Sequence, residues 1–275
     1  MFQKLFPILS LLLLFTACNN NKSAEKSGDM SQFAEDTAFQ AAHASPDSIT
    51  FQPQGQMIQF ATPDGKQGSA YALMTTQPSE KYLLVIHEWW GLNDHIKQTA
   101  DMLFENLGDA NVLALDMYDG QVTTNPDEAG KIMGAMKPER GTAIVKGALA
   151  KAGTNAKIGT IGWCFGGGWS LQSSILAGNQ SKACVMYYGM PVENAKELAP
   201  LQAPVLGIFA KKDQWITPEV VNKFAALAKS TGKQVEIHQF DADHAFANPS
   251  NPNFDQKAAG EANELALAFL KTHLK

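Results

Sequence analysis

Between residues 82 and 273 the chain alternates short apolar runs with stretches of helical periodicity, and this alternation constrains the fold more than any other feature. "YLLVIHE" (82–88) is a continuous apolar run, as expected for a strand covered on both faces. The next stretch, 92–108, has apolar residues at helical spacing and ends on Gly108. Strand-like runs recur at 110–118, 157–164, 183–189, 203–210 and 234–240, and helices are expected at 126–136, 139–152, 165–176, 217–230 and 256–273. Such repetition predicts a single α/β domain whose mostly parallel sheet is covered by helices on both faces. Ahead of it, "QMIQFAT" and "SAYALMTT" flank the turn signal "PDGKQG" and predict a hairpin or edge pair. Hydrophobic residues make up 45% of the 275 and charged residues 18%, enough for a large core and wrong for disorder. A net charge of −5 and a single arginine, Arg140, leave no basic face to track phosphates, so no nucleic-acid partner is expected.

Residues 1–17 have the pattern of a signal peptide and take no part in the fold reasoning. Lys4 precedes the apolar run Leu5 to Phe15, which is shorter than the roughly 20 residues a membrane-spanning helix needs. The run ends in "FTAC", Phe15 to Cys18, which resembles the lipobox of bacterial lipoproteins. That resemblance implies cleavage before Cys18, a lipid on its sulfur, and a membrane-anchored protein in the bacterial periplasm or on the outer surface. An ordinary secretory signal cut near Ala17 is the alternative. Residues 18–48 are polar and rich in small side chains, as expected of a tether, with a short helix possible around 33–42. Residues 49–275 then form the domain.

One strand-to-helix junction carries chemistry. Gly162-Trp163-Cys164-Phe165-Gly166 has the form of the nucleophile elbow G-x-S-x-G, with cysteine in place of serine. Glycines suit a turn that leaves no room beside the nucleophile, and the following helix directs its positive end at the sulfur. Phosphate-binding readings of these glycines fail on spacing: Gly167 is followed by Gly-Trp and not by Lys-Ser/Thr, and position 171 is leucine. A thiol nucleophile needs a base and an orienting acid, in the chain order nucleophile, acid, histidine. Asp213 follows the run "GIFAKKD", and His244 lies in "DADHAFANP" just past another strand. Asp241 and Asp243 are rival acids, near His244 in sequence, and His238 is expected to be structural. Cys184, in "KACVMYYG", is expected in the core, with pairing to Cys164 left open.

These residues together resemble the dienelactone hydrolase family of the α/β-hydrolase superfamily. The resemblance covers about 55–275 and rests on "VIHEWWGLNDHIKQTADML", "LALDMY", "GWCFGG", "ACVMYYG", "GIFAKKDQWITP" and "DADHAFANP". It implies the α/β-hydrolase fold and a catalytic set of Cys164, Asp213 and His244. It adds Glu88 as a carboxylate able to take the thiol proton, and the backbone amides of Phe165 and Trp89 as an oxyanion hole. Family members grip a substrate carboxylate with two arginines; Gly120 and Asn248 stand in those places here. Arg140 is expected to be solvated, while Trp89, Trp90, Trp163 and Phe246 suggest an aromatic-walled pocket. The expected partner is therefore a small neutral ester or lactone, with no cofactor, no metal, and a monomeric chain assumed. A thiol-redox protein using Cys164, or a non-catalytic binding module on the same fold, are the alternatives.

Overall fold

The apolar runs become the strands of one eight-stranded sheet in the computed structural model, which describes residues 30–275. The expected signal peptide, 1–17, and Cys18 lie outside the described residues. The hairpin expected before the alternation is β1 (Gln56–Ala61) paired antiparallel with β2 (Gln67–Leu73). The alternating region then supplies β3 (Lys81–Ile86), α2 (Asp94–Leu107) and β4 (Asn111–Leu115). Next come α3 (Pro126–Ala135), α4 (Pro138–Ala152), β5 (Lys157–Trp163), α5 (Phe165–Ala177) and β6 (Ser181–Tyr187). A four-residue helix, α6 (Ala195–Leu198), precedes β7 (Val205–Ala210), α7 (Pro218–Ser230), β8 (Val235–Phe240) and α8 (Gln256–His273).

Strand order across the sheet is β1-β2-β4-β3-β5-β6-β7-β8, and every pairing from β4 to β8 is parallel. The central strands β3 to β7 are the continuous apolar runs, and helices cover both of their faces, with α2 packed on α8 and α4 on α5. Local signals set the helix ends. The Asn93 side chain accepts from Ile96 N at the start of α2, and Gly108, at φ 75°, closes it. Proline opens α3, α4 and α7 in the first turn, where its missing N–H costs nothing.

Two expectations are corrected. The stretch 30–43, assigned above to a tether, is packed onto the domain. It forms a short 3-10 turn (Met30–Phe33) and α1 (Thr37–Ala41), with Asp36 capping α1 and Met30, Phe39 and His43 buried. Apolar contact, invisible in the segment's own polar composition, overrides its tether-like character. Arg140 is not solvated either: its side chain is 11% exposed and forks between Asp64 and Asp119, donating also to Gln67 O. That network ties α4 to the β1–β2 turn and to the loop after β4.

Candidate active site

β5 is the fifth strand of the sheet, and Cys164 stands at the turn where its C-terminal end passes into α5. Its backbone, at φ 53° and ψ −117°, lies where an L-residue is strained, at a cost on the order of 1–3 kcal/mol. The glycines make this turn possible. A Cβ on Gly162 would lie 2.1 Å from Gly166 O, and one on Gly166 would lie 2.3 Å from Ile86 O. Cys164 N donates to Tyr187 O at 3.0 Å, and its carbonyl accepts from Gly167 N at 2.9 Å. The thiol is 1% exposed. Burial pushes it up, while the His244 side chain and the Phe165 backbone amide stabilise the thiolate.

His244 lies beyond β8 and Asp213 beyond β7, two neighbouring parallel strands, so both loops open at the same sheet edge. His244 Nδ1 donates to Asp213 Oδ2 at 2.6 Å, and both side chains are closed to solvent. Asp213 Oδ1 accepts from Trp215 N and Ile216 N, each at 2.9 Å, so the carboxylate is held in one orientation. Burial is the largest single influence and opposes charge on both groups, but the partner's charge and the hydrogen bonds together outweigh it. Asp213 stays below the usual carboxylate range, and His244 is held up at about 10 by Asp213 and the nearby Cys164. The arrangement can hold a thiolate beside an oriented imidazolium.

Glu88 follows β3, whose Ile86 is in register with Gly162 of β5, so residues 87–89 leave the sheet beside the cysteine turn. His87 fixes this exit: its Nδ1 donates to Glu88 O at 2.5 Å, and Nε2 accepts from Met117 N at 3.1 Å. Glu88 is buried, and burial raises its pKa to about 7 against the opposing pull of His244 and a hydrogen bond from Asn248 Nδ2. A cavity of about 250 Å³ is lined by Glu88, Asn248, Trp90 and Trp163 together with polar and apolar residues of α2 and α8. Among the described residues no lysine or arginine lines it, and Cys164 does not line it directly. Of the aromatic residues expected around a pocket, Trp90 and Trp163 are in its wall. Trp89 and Phe246 are fully buried and pack instead on Phe39 and Tyr188.

The rival acids are separate from this group. Asp241 pairs with Lys212 and Asp243 is exposed, while His238 pairs with Glu236 at the sheet edge. Cys184 is in the core as expected, beside Ser170 and not bonded to Cys164. Sequence reasoning missed His43. It follows α1, is 3% exposed, and its Nδ1 donates to Phe39 O at 2.7 Å. Phe39 meets Trp89 and Trp215 edge-on, which holds the segment against His244. One donor atom from each of His43, Cys164 and His244 lies within 4.8 Å of the other two, and among the described residues this is the grouping able to hold a metal ion.

Comparison with known proteins points one way. The sequence profile of the dienelactone hydrolase family matches residues 69–274. Protein usf of Aquifex pyrophilus is 29% identical over 233 residues, covering 80% of this chain and 99% of that protein. Carboxymethylenebutenolidase 1 of Cupriavidus pinatubonensis is 24% identical over 229 residues, covering 78% of this chain and 95% of its own. Among solved structures, a dienelactone hydrolase-like promiscuous phosphotriesterase from metagenomic libraries aligns with a TM-score of 0.65 at 22% identity. The alignment covers 79% of this chain and 97% of that one.

Proposed function

This chain belongs to the dienelactone hydrolase family, hydrolases of lactone and ester substrates, and we propose that it cleaves a neutral ester or lactone through an acyl-enzyme on Cys164. The observation that carries the reading is the strained backbone of Cys164 facing the Asp213-oriented His244. The Cys164 thiolate attacks the carbonyl carbon, and the π electrons move to oxygen. The amides of Phe165 and Trp89 hold that oxyanion; in support, the Phe165 amide already stabilises charge on the sulfur, and Trp89 lies in the turn that follows β3, the strand paired with β5. As the tetrahedral adduct collapses, the carbon–oxygen bond breaks and His244 protonates the departing alkoxide. His244, now neutral, takes a proton from water, whose oxygen displaces the sulfur and releases the acid. Glu88 serves as the acceptor for the thiol proton when substrate enters, a role favoured by a pKa near 7.

A neutral substrate is favoured by the lining of the cavity, which among the described residues offers no lysine or arginine, and by the engagement of Arg140 with Asp64 and Asp119. Asn248, where the family's arginine stands, is bonded to Glu88. The direct test is hydrolysis of 4-nitrophenyl acetate by the purified protein and by Cys164→Ala. Equal rates would sink the mechanism. We also propose that the chain is exported and lipidated on Cys18, which metabolic labelling with palmitate would detect; labelling that persists in Cys18→Ser would exclude it.

A further inference from the structure

The Cys164–His244 pair offers two donors; His43 adds a third, from a segment that precedes the region matched by the family profile. Hydrogen bonding fixes which nitrogen each imidazole presents. His43 Nδ1 faces a carbonyl and His244 Nδ1 a carboxylate, so both carry their protons there. Each Nε2 is buried; that of His43 has no hydrogen-bond partner, and that of His244 has the Cys164 sulfur beside it. An imidazole whose far nitrogen donates to a carbonyl or carboxylate is oriented as metal-bound histidines are.

Two imidazole nitrogens and a thiolate suit a borderline, tetrahedral cation of the zinc class and disfavour the oxygen-seeking Mg²⁺ and Ca²⁺. Bond lengths of about 2.0 Å to nitrogen and about 2.3 Å to sulfur place donors of a tetrahedron roughly 3.3–3.6 Å apart. The three donors here, within 4.8 Å, need to close by about 1 Å, a small side-chain rotation. The two positive charges of the ion would be met by the Cys164 thiolate and the Asp213 carboxylate behind His244. His43 is itself anchored, since Trp215 Nε1 donates to Asp36 Oδ2 at 3.2 Å and Asn251 Nδ2 to Ala42 O at 3.4 Å.

We propose that His43, Cys164 and His244 form a binding site for a zinc-class divalent cation, and that its occupation reversibly silences the hydrolase. The inhibitory half rests on Cys164 being the nucleophile, as argued above. Binding forms three metal–ligand bonds and releases the thiol proton, and the imidazolium proton where present, to solvent; no electrons are transferred.

The test is a titration of the metal-free protein with Zn²⁺, read by competition with a chromophoric chelator, and with Co²⁺, read by thiolate-to-cobalt charge-transfer absorption. One ion should bind per chain with that absorption, and Cys164→Ser should abolish the band. His43→Gln should weaken zinc binding by more than about 100-fold, beyond what loss of an outer-sphere partner costs, while metal-free ester hydrolysis persists and resists zinc. His43→Cys, which keeps a soft third donor, should restore tight binding. Zinc affinity unchanged in His43→Gln, or a cobalt complex without the band, would overturn the site, and bound zinc with undiminished hydrolysis would overturn the silencing. Charge transfer in a protein that hydrolyses no ester would leave the site standing and remove the hydrolase reading instead.

Discussion

Replacing Glu88 by glutamine should change how stability depends on pH, by an amount that follows from the burial of the carboxyl. Desolvation holds Glu88 at about 7 in the folded chain against an ordinary 4.5, with His244 and Asn248 pulling the other way. Between those two values the folded chain keeps the proton that the unfolded chain has lost. Stability therefore falls as pH rises from about 4.5 to about 7 and is flat above. At 1.36 kcal/mol per pH unit the folded state loses roughly 3 kcal/mol across that window. Glutamine keeps the side-chain oxygen that accepts from Asn248 and has nothing to ionise. The stability of Glu88→Gln relative to wild type should accordingly rise by roughly 3 kcal/mol between pH 4 and pH 8.5. Urea unfolding of both proteins at a series of pH values measures the difference, in which all other titrating groups largely cancel. A difference that stays constant with pH would show that burial does not govern this carboxyl, and would remove the basis for using it as a proton acceptor near neutrality.

Three other substitutions probe separate parts of the structure. Asp213→Asn leaves the His244 ring without its anionic acceptor and should lower the rate of ester hydrolysis by a factor on the order of 10³–10⁴, with circular dichroism unchanged. Gly166→Ala forces a methyl group to within 2.3 Å of Ile86 O and 2.5 Å of His87 O, and should cost about 3 kcal/mol or more in denaturant unfolding. A loss below about 1 kcal/mol would mean that the turn has slack the packing does not show. Phe39→Ala removes a fully buried ring packed on Trp89 and Trp215 and should destabilise by about 3–5 kcal/mol. An unchanged midpoint would mean that residues 30–43 are a tether after all.

The sheet was legible because its strands have only one environment. A run such as 82–88 that is apolar at every position can be stable only when covered on both faces, and the structure places β3 there. The helix at 256–273 matches α8 to the residue, since Asp255 caps it and alanines and leucines recur at helical spacing. The order of β4 and β3 within the sheet was not legible, because apolar runs of equal length carry no mark of which neighbour they choose. At the site, Cys164, Asp213 and His244 could be found because each is announced locally: the first by glycines that only a crowded turn requires, the others by their place at strand ends. Asn248 was noticed only as a missing arginine, and its bond to Glu88 needs the folded loop.

His43 was missed for a different reason, and the reason shows where such residues can be sought. Around it the chain is alanine, serine and proline, without the periodicity by which a packed element declares itself. The segment is held instead by what its partners present, and one partner does leave a mark in the sequence. Gly130 sits inside α3, where glycine costs about 1 kcal/mol relative to alanine. A Cβ there would lie 2.4 Å from Ala34 O, and one on Gly134 of the same helix would lie 3.1 Å from the Ala34 side chain. Glycine four residues apart on one helix face therefore admits the backbone of the N-terminal segment, which carries Phe39 to Trp89 and Trp215 and His43 to Cys164. A helix that sacrifices propensity twice at the same face is the sequence's record of another segment lying against it, and here that segment ends beside the Cys164 sulfur.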